Sequence, residues 1–178
     1  MSKTTYFAII RKVKILIIGH PGSGKTYLAD LLSKKTGIEK IDIDVLFDKH
    51  PFYLFSKGLY RKALNKLIND KNDWIIDGYH VNRMPTELLK VVDTIIYLNL
   101  PKEELRQNVL NRYKTKKANK EFSHWQSTYA NNLKNFGQIR FQDKALKKDV
   151  VKIQTLTGDD AKFLELNSRK QIEQFLEA

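Results

Sequence analysis

The chain has 178 residues, 42% of them hydrophobic, and a formal net charge of +12 at pH 7. That length suits one domain with a real core, and the positive balance suits anionic ligands such as nucleotides, phosphorylated metabolites or nucleic acid. The lack of cysteine excludes disulfides, thiolate metal sites and a cysteine nucleophile, in agreement with a reducing cytoplasm, and no apolar run approaches membrane-spanning length.

Residues 6–10 are apolar but too short for a signal-peptide core, and Arg11 and Lys12 interrupt them. They read as an edge strand or a packed arm. Residues 13–18 are β-branched and mostly apolar, the pattern of a buried parallel strand. Next comes Gly19-His20-Pro21-Gly22-Ser23-Gly24-Lys25-Thr26, which fits G-x-x-x-x-G-K-[ST]. An amphipathic helix follows, with Leu28, Leu31 and Leu32 on one face and Gly37 as its stop.

Strand, glycine-rich loop and helix form the context that this motif needs. Gly22 and Gly24 free the backbone so that consecutive N–H groups point at an anion. The helix N-terminus adds about half a positive charge there. Lys25 then reaches the β- and γ-phosphates of a nucleotide, and the Thr26 hydroxyl ligates Mg²⁺. Lys25 is expected to be exposed in an empty site. His20 and Pro21 occupy variable positions of the pattern.

Residues 39–42 read as a short second strand. Asp42 and Asp44 follow two apart at its carboxyl end, where α/β sheets bind ligands; helix capping by either is the competing reading. Phe47, Phe52, Tyr53, Phe55 and Tyr60 are dense enough to wall a binding site, though core packing suits most of them. A helix is expected over 58–69, with Leu59, Ala63, Leu64 and Leu67 inward and Arg61 on another face. The third strand, 73–78, closes with Asp77-Gly78. An acid in that place orients Mg²⁺ beside a phosphate loop, and a plain Asp-Gly turn is the alternative. Tyr79, His80 and Arg83 share the same rim, His80 as a surface loop residue.

A short helix over 87–90 leads to a fourth strand over 93–100. Pro101 opens a helix expected to run to about Tyr113, with Glu103 and Glu104 favourable against its dipole. Residues 114–120 carry a basic run without apolar period, read as a mobile, solvated segment. Trp125, Tyr129, Leu133 and Phe136 repeat at helical spacing, and helix resumes after Gly137 as far as Lys148. Residues 150–153 either extend that helix or start a strand. The fifth strand covers 162–166, and Ser168 with Gln171 makes a capping box for a last helix. The alternation predicts an α/β domain built on a five-stranded parallel sheet with helices on both faces.

These residues resemble the adenylate-kinase-like P-loop kinases, a group that includes nucleoside monophosphate kinases and shikimate kinase. Within it the chain looks most like the small DNA topology modulation proteins. The matches are Gly19 to Thr26, Ile43-Asp44, Trp74-Ile75-Ile76-Asp77-Gly78-Tyr79, the stretch 93–98 with Leu100-Pro101, and Leu166-Asn167-Ser168. The resemblance implies a single domain, residues 1–178, with a P-loop nucleoside-monophosphate-kinase-like fold, an acceptor-binding insertion at about 44–70 and a lid at about 113–125. It implies ATP and Mg²⁺ as cofactors, with phosphate contacts from Gly19, Gly22, Ser23, Gly24, Lys25 and Thr26. Asn167 and Ser168 fall at the adenine loop. Thr26, Asp77 and Asp42 fall at the metal.

By the same resemblance, Lys25, Asp77 and Arg112 are the catalytic set, Arg112 lying over the ATP phosphates at the lid edge. Asp44, Arg61 and Arg83 fall at the acceptor. His80-Val81 stands where adenylate kinases carry Pro-Arg, and Leu64 where shikimate kinases carry an acceptor-binding Glu. The function implied is an ATP-dependent phosphotransferase acting on a nucleoside, nucleotide or hydroxylated metabolite. The alternatives are a nucleotide-hydrolysing regulator that binds nucleic acid through lysines at 114–120 and 144–152, and a pure nucleotide-binding module. No recognised nucleic-acid fold accompanies those lysines, so neither a nucleic-acid partner nor a membrane partner is expected.

Overall fold

A computed structural model describes residues 13–43, 53, 56–78, 83–118 and 137–177. The apolar stretch 6–10, Asp44, Phe47, Phe52, Phe55, Tyr79, His80 and the aromatic period from Trp125 to Phe136 lie outside the described residues.

The order along the chain is β1 (Lys14–Gly19), α1 (Lys25–Thr36), β2 (Lys40–Asp42), α2 (Lys57–Ile68), β3 (Trp74–Asp77), α3 (Thr86–Lys90), β4 (Thr94–Leu98), α4 (Lys102–Ala118), α5 (Gly137–Leu156), β5 (Lys162–Leu166) and α6 (Arg169–Glu177). The strands form one parallel sheet in the order β2-β3-β1-β4-β5. β1 lies in the middle, so its run of Leu16, Ile17 and Ile18 is fully buried on both faces.

Strand side chains alternate between two cores, as a period of two requires. Leu16, Ile18, Trp74, Ile76, Ile95 and Tyr97 pack with Tyr60 and Leu64 of α2, Leu88 and Leu89 of α3, and Leu146, Val150 and Ile153 of α5. Ile15, Ile17, Ile75, Ile96 and Leu98 pack with Leu28, Ala29 and Leu32 of α1, Leu105 of α4 and Ile172 of α6. Fully burying one such aliphatic side chain is worth about 2 kcal/mol, so the alternation fixes which face each helix covers.

Three expectations are corrected and one open alternative is settled. α2 buries Tyr60 and Leu64, whereas Leu59 and Leu67 are 52% and 38% exposed. Tyr60 takes the core position, which turns the helix by one residue from the all-leucine face. Leu31 is only half-buried, and Ala29 completes the α1 face. Residues 114–118 continue α4, because lysine and alanine propagate a helix at little cost once it is nucleated. Residues 150–153 belong to α5, since Leu146, Val150 and Ile153 reach the core at helical spacing. Among the described residues no helix is long and apolar enough to cross a membrane.

Candidate functional site

The glycine-rich loop joins the carboxyl end of central β1 to α1. Gly22 and Gly24 both take left-handed backbone conformations, with φ of 83° and 89°. Their surroundings differ. A methyl group on Gly22 would meet the Leu105 carbonyl at 2.6 Å and Val109 Cγ2 at 2.8 Å, so α4 abuts the loop there. Gly24 has open space where its methyl would stand. It is also the N-cap of α1, without a capping side chain and without an acid in the first turn. A helix start with neither a capping side chain nor an acid is the kind that suits an anion.

Lys25 is buried, 7% exposed, with Nζ donating to the His20 carbonyl at 3.1 Å. This corrects the expectation of an exposed lysine: the apolar stem packs into the fold and the ammonium folds back over the loop. The same His20 carbonyl accepts from the Ser23 N–H at 3.1 Å. His20, at a position the motif leaves free, is therefore a buried structural member of the loop. No local pattern marked it.

Thr26, the second residue of α1, donates through Oγ1 to Oδ2 of Asp77 at 2.9 Å. Asp77 ends β3, the strand next to β1, and is 1% exposed. Its other oxygen, Oδ1, is buried and has no hydrogen-bond partner among the described residues. Burial pushes the Asp77 carboxyl up to about 6, helped by the Asp42 carboxylate and opposed by the Thr26 hydroxyl, Lys40 and Lys25. Asp42 is the register partner of Asp77 across β2–β3. A hydroxyl, an orphaned carboxylate oxygen and a second carboxylate nearby form an all-oxygen donor set of the kind hard divalent cations take. The residues present fit such an ion. Among the described residues no cluster of three or more His, Asp or Glu is placed to hold a metal.

Sequence reading missed Lys40 and Asp30. Lys40 Nζ pairs with Asp30 Oδ1 at 2.6 Å. Burial lowers its pKa, but Asp30, Asp77 and Asp42 more than offset this and hold the ammonium above its usual value. The signal was present as spacing: Asp30 is four residues after Thr26 on α1, and Lys40 two before Asp42 on β2.

The structure brings Arg61, Arg83 and Tyr53 together. Arg61 Nε donates to the Arg83 carbonyl at 3.4 Å, and Arg83 Nη1 donates to the Tyr53 carbonyl at 3.0 Å. Arg61 also lines a shallow crevice with Met84, Asp149 and Lys152, among α2, α3 and α5. Arg112 is exposed on α4. Ser168 caps α6, its Oγ accepting from the Gln171 N–H at 3.3 Å. The return bond of the expected capping box goes instead to Asn167, whose N–H donates to Gln171 Oε1 at 2.6 Å.

A parallel five-stranded sheet with this loop after its central strand defines a P-loop α/β domain. A family model described as an AAA domain matches residues 15–129, and the chain belongs to that family. It is similar to the adenylate kinase of Prochlorococcus marinus (strain AS9601), with 25% identity over 126 residues, 57% of this chain and 69% of that enzyme. It is 32% identical to the shikimate kinase of Clostridium botulinum (strain Loch Maree / Type A3) over 112 residues, 55% of this chain and 65% of that enzyme. The chain thus spans about two thirds of the length of these curated relatives. In fold it resembles the crystal structure of shikimate kinase from Bacteroides thetaiotaomicron, with a TM-score of 0.57, 18% identity, and coverage of 93% of this chain and 94% of that one.

Proposed function

We propose that the chain is an ATP-dependent phosphotransferase acting on a small-molecule acceptor. The carrying observation is the Thr26–Asp77 pair below the phosphate loop, with a buried carboxylate oxygen left over. The similarity to adenylate and shikimate kinases supports the reaction class. The phrase from Trp74 to Tyr79 supports placing the chain near the DNA topology modulation subgroup.

Phosphoryl transfer asks a protein for positioning and charge neutralisation more than for covalent chemistry. The loop amides from Gly22 to Thr26 would bind the polyphosphate, with Gly19 and Ser23 shaping the turn. Lys25 would leave the His20 carbonyl for the β- and γ-phosphates, exchanging a neutral acceptor for an anionic one. Thr26 and Asp77, with Asp42 beside them, would hold Mg²⁺, which neutralises charge on the phosphates when bound. Arg112 would approach the same phosphates from α4 and the lid. Asn167 and Ser168 follow β5, beside the end of β4, and would flank the base.

The acceptor would lie among Asp44, Arg61 and Arg83. Asp44 would take the proton as the acceptor oxygen bonds to the γ-phosphorus and the β–γ bridging bond breaks. The two arginines would hold an anionic group of the acceptor.

The test is turnover of MgATP with nucleosides, nucleoside monophosphates and hydroxylated metabolites, each against ATP alone. Acceptor-dependent ADP release supports a kinase. Hydrolysis that ignores every acceptor but responds to nucleic acid would replace it with the regulatory reading. The exposed lysines of α5, Lys144, Lys147, Lys148 and Lys152, are expected to give only weak nucleic-acid binding that fades as salt rises.

A further inference from the structure

The phosphate loop is gripped from behind by side chains that its motif does not include. Asn108 of α4 donates through Nδ2 to the Gly22 carbonyl at 2.8 Å. Asn108 Oδ1 accepts from Arg169 Nη2 at 2.7 Å. Arg169 Nε pairs with the Glu104 carboxylate, one turn earlier on α4. Arg169 is the first residue of α6 and follows directly on Asn167 and Ser168. One guanidinium therefore joins the turn after β5 to α4, and α4 holds the loop.

The chemistry fixes the direction of this chain. A guanidinium only donates, so the Asn108 carbonyl faces Arg169 and its amino group faces Gly22. An anion-binding loop needs its N–H groups inward and its carbonyls turned away, because a carbonyl dipole repels phosphate. Asn108 supplies the outward partner for the Gly22 carbonyl. The loop has little latitude at that residue, since Gly22 sits in the left-handed region against Leu105 and Val109.

We propose that Asn108 is a positioning residue for the nucleotide phosphates, oriented by Arg169, and that the pair couples the turn at Asn167 and Ser168 to the phosphate loop. This rests on reading the loop as a polyphosphate site. Binding at one end of the relay then favours the binding-competent form of the other.

The test is calorimetric binding of inorganic tripolyphosphate and of MgATP to the full chain. Asn108→Asp keeps the size and the Arg169 pairing but sets a carboxylate against the Gly22 carbonyl. It is expected to weaken both ligands about tenfold, with the melting temperature lowered only by the roughly 2–4 °C that one lost hydrogen bond brings. A merely structural role would lower the melting temperature but spare the affinity of the folded protein. Arg169→Met, at an exposed position, is expected to weaken both ligands about threefold. The double variant should bind no more weakly than Asn108→Asp alone, because Arg169 acts through Asn108. Wild-type affinity in Asn108→Asp, or fully additive losses in the double variant, would overturn the proposal. If Asn108→Asp does not fold, Arg169→Met decides, and wild-type affinity there overturns it equally. Lys25→Met separates the two readings: undiminished tripolyphosphate binding in that variant sinks the polyphosphate site itself, whereas its loss beside a silent Asn108→Asp sinks only the relay.

Discussion

Asp42 and Asp77 stand opposite each other at the carboxyl ends of β2 and β3, and Asp77 is almost fully buried. Parallel register partners present their side chains to the same face of the sheet. Two carboxylates side by side repel, and the more buried of them resists ionisation. The pair is a standing destabilisation that a bound cation would relieve.

The first prediction is its pH signature. Well below pH 3.8, at about pH 3, the Asp77 carboxyl is protonated in folded and unfolded chains alike and costs nothing. The ordinary value is 3.8 and the folded one about 6, so between them the unfolded chain ionises first and stability falls. Above pH 6 the loss is complete, about 3 kcal/mol for two pKa units. Asp77→Asn should match wild type near pH 3 and exceed it by roughly that amount at pH 7 to 8. Urea unfolding across this range measures it; a constant difference between the two proteins would mean that Asp77 is not the titrating group.

The second concerns the cation. Saturating Mg²⁺ should raise the melting temperature of wild type and leave that of Asp77→Asn unmoved, because the amide keeps the shape and removes the charge. Magnesium-dependent turnover should drop by about two orders of magnitude or more in the variant. Equal magnesium stabilisation of both proteins would assign the ion to Asp42 or elsewhere.

The third concerns Lys25. Its stem is buried, so Lys25→Met is a cleaner test than truncation to alanine. Turnover should fall by about a thousandfold, or roughly 4 kcal/mol of transition-state stabilisation, with folding retained. A loss of less than about tenfold would remove Lys25 from the chemistry.

The two left-handed glycines of the loop between β1 and α1, Gly22 and Gly24, should separate in a fourth test. Gly24→Ala meets only the backbone penalty, about 1 kcal/mol. Gly22→Ala adds overlap with Leu105 and Val109 and should cost about 3 kcal/mol or more. Thermal melts of the two variants compare them directly; equal losses would show that α4 yields to the loop.

The acceptor assignment gives the fifth. Arg61→Met should raise the acceptor KM about tenfold while ATP binding stays within about twofold. A change in ATP affinity of the same size would place Arg61 on the nucleotide.

Local pattern determined much of this protein. The apolar runs of the strands, the Gly-Lys-Thr order, the Asp that closes β3, and Gly37 as the αL stop of α1 are each written within a few neighbouring residues, because each answers a local constraint. β5 falls where its sequence places it. Tertiary packing decided the rest. It turned α2 so that Tyr60 rather than Leu59 faces the core, and it kept residues 150–153 helical despite two adjacent valines. It also made the site. β1 lies beside β3 although β2 comes between them in the chain, which sets Thr26 against Asp77, and that placement reaches Lys40 and Asp30 as well. Asn108 and Arg169, sixty-one residues apart, meet only because α4 and α6 flank the same face. Periodicity records which side of an element is apolar; which charged group meets which is fixed by strand order, and that is a property of the whole chain.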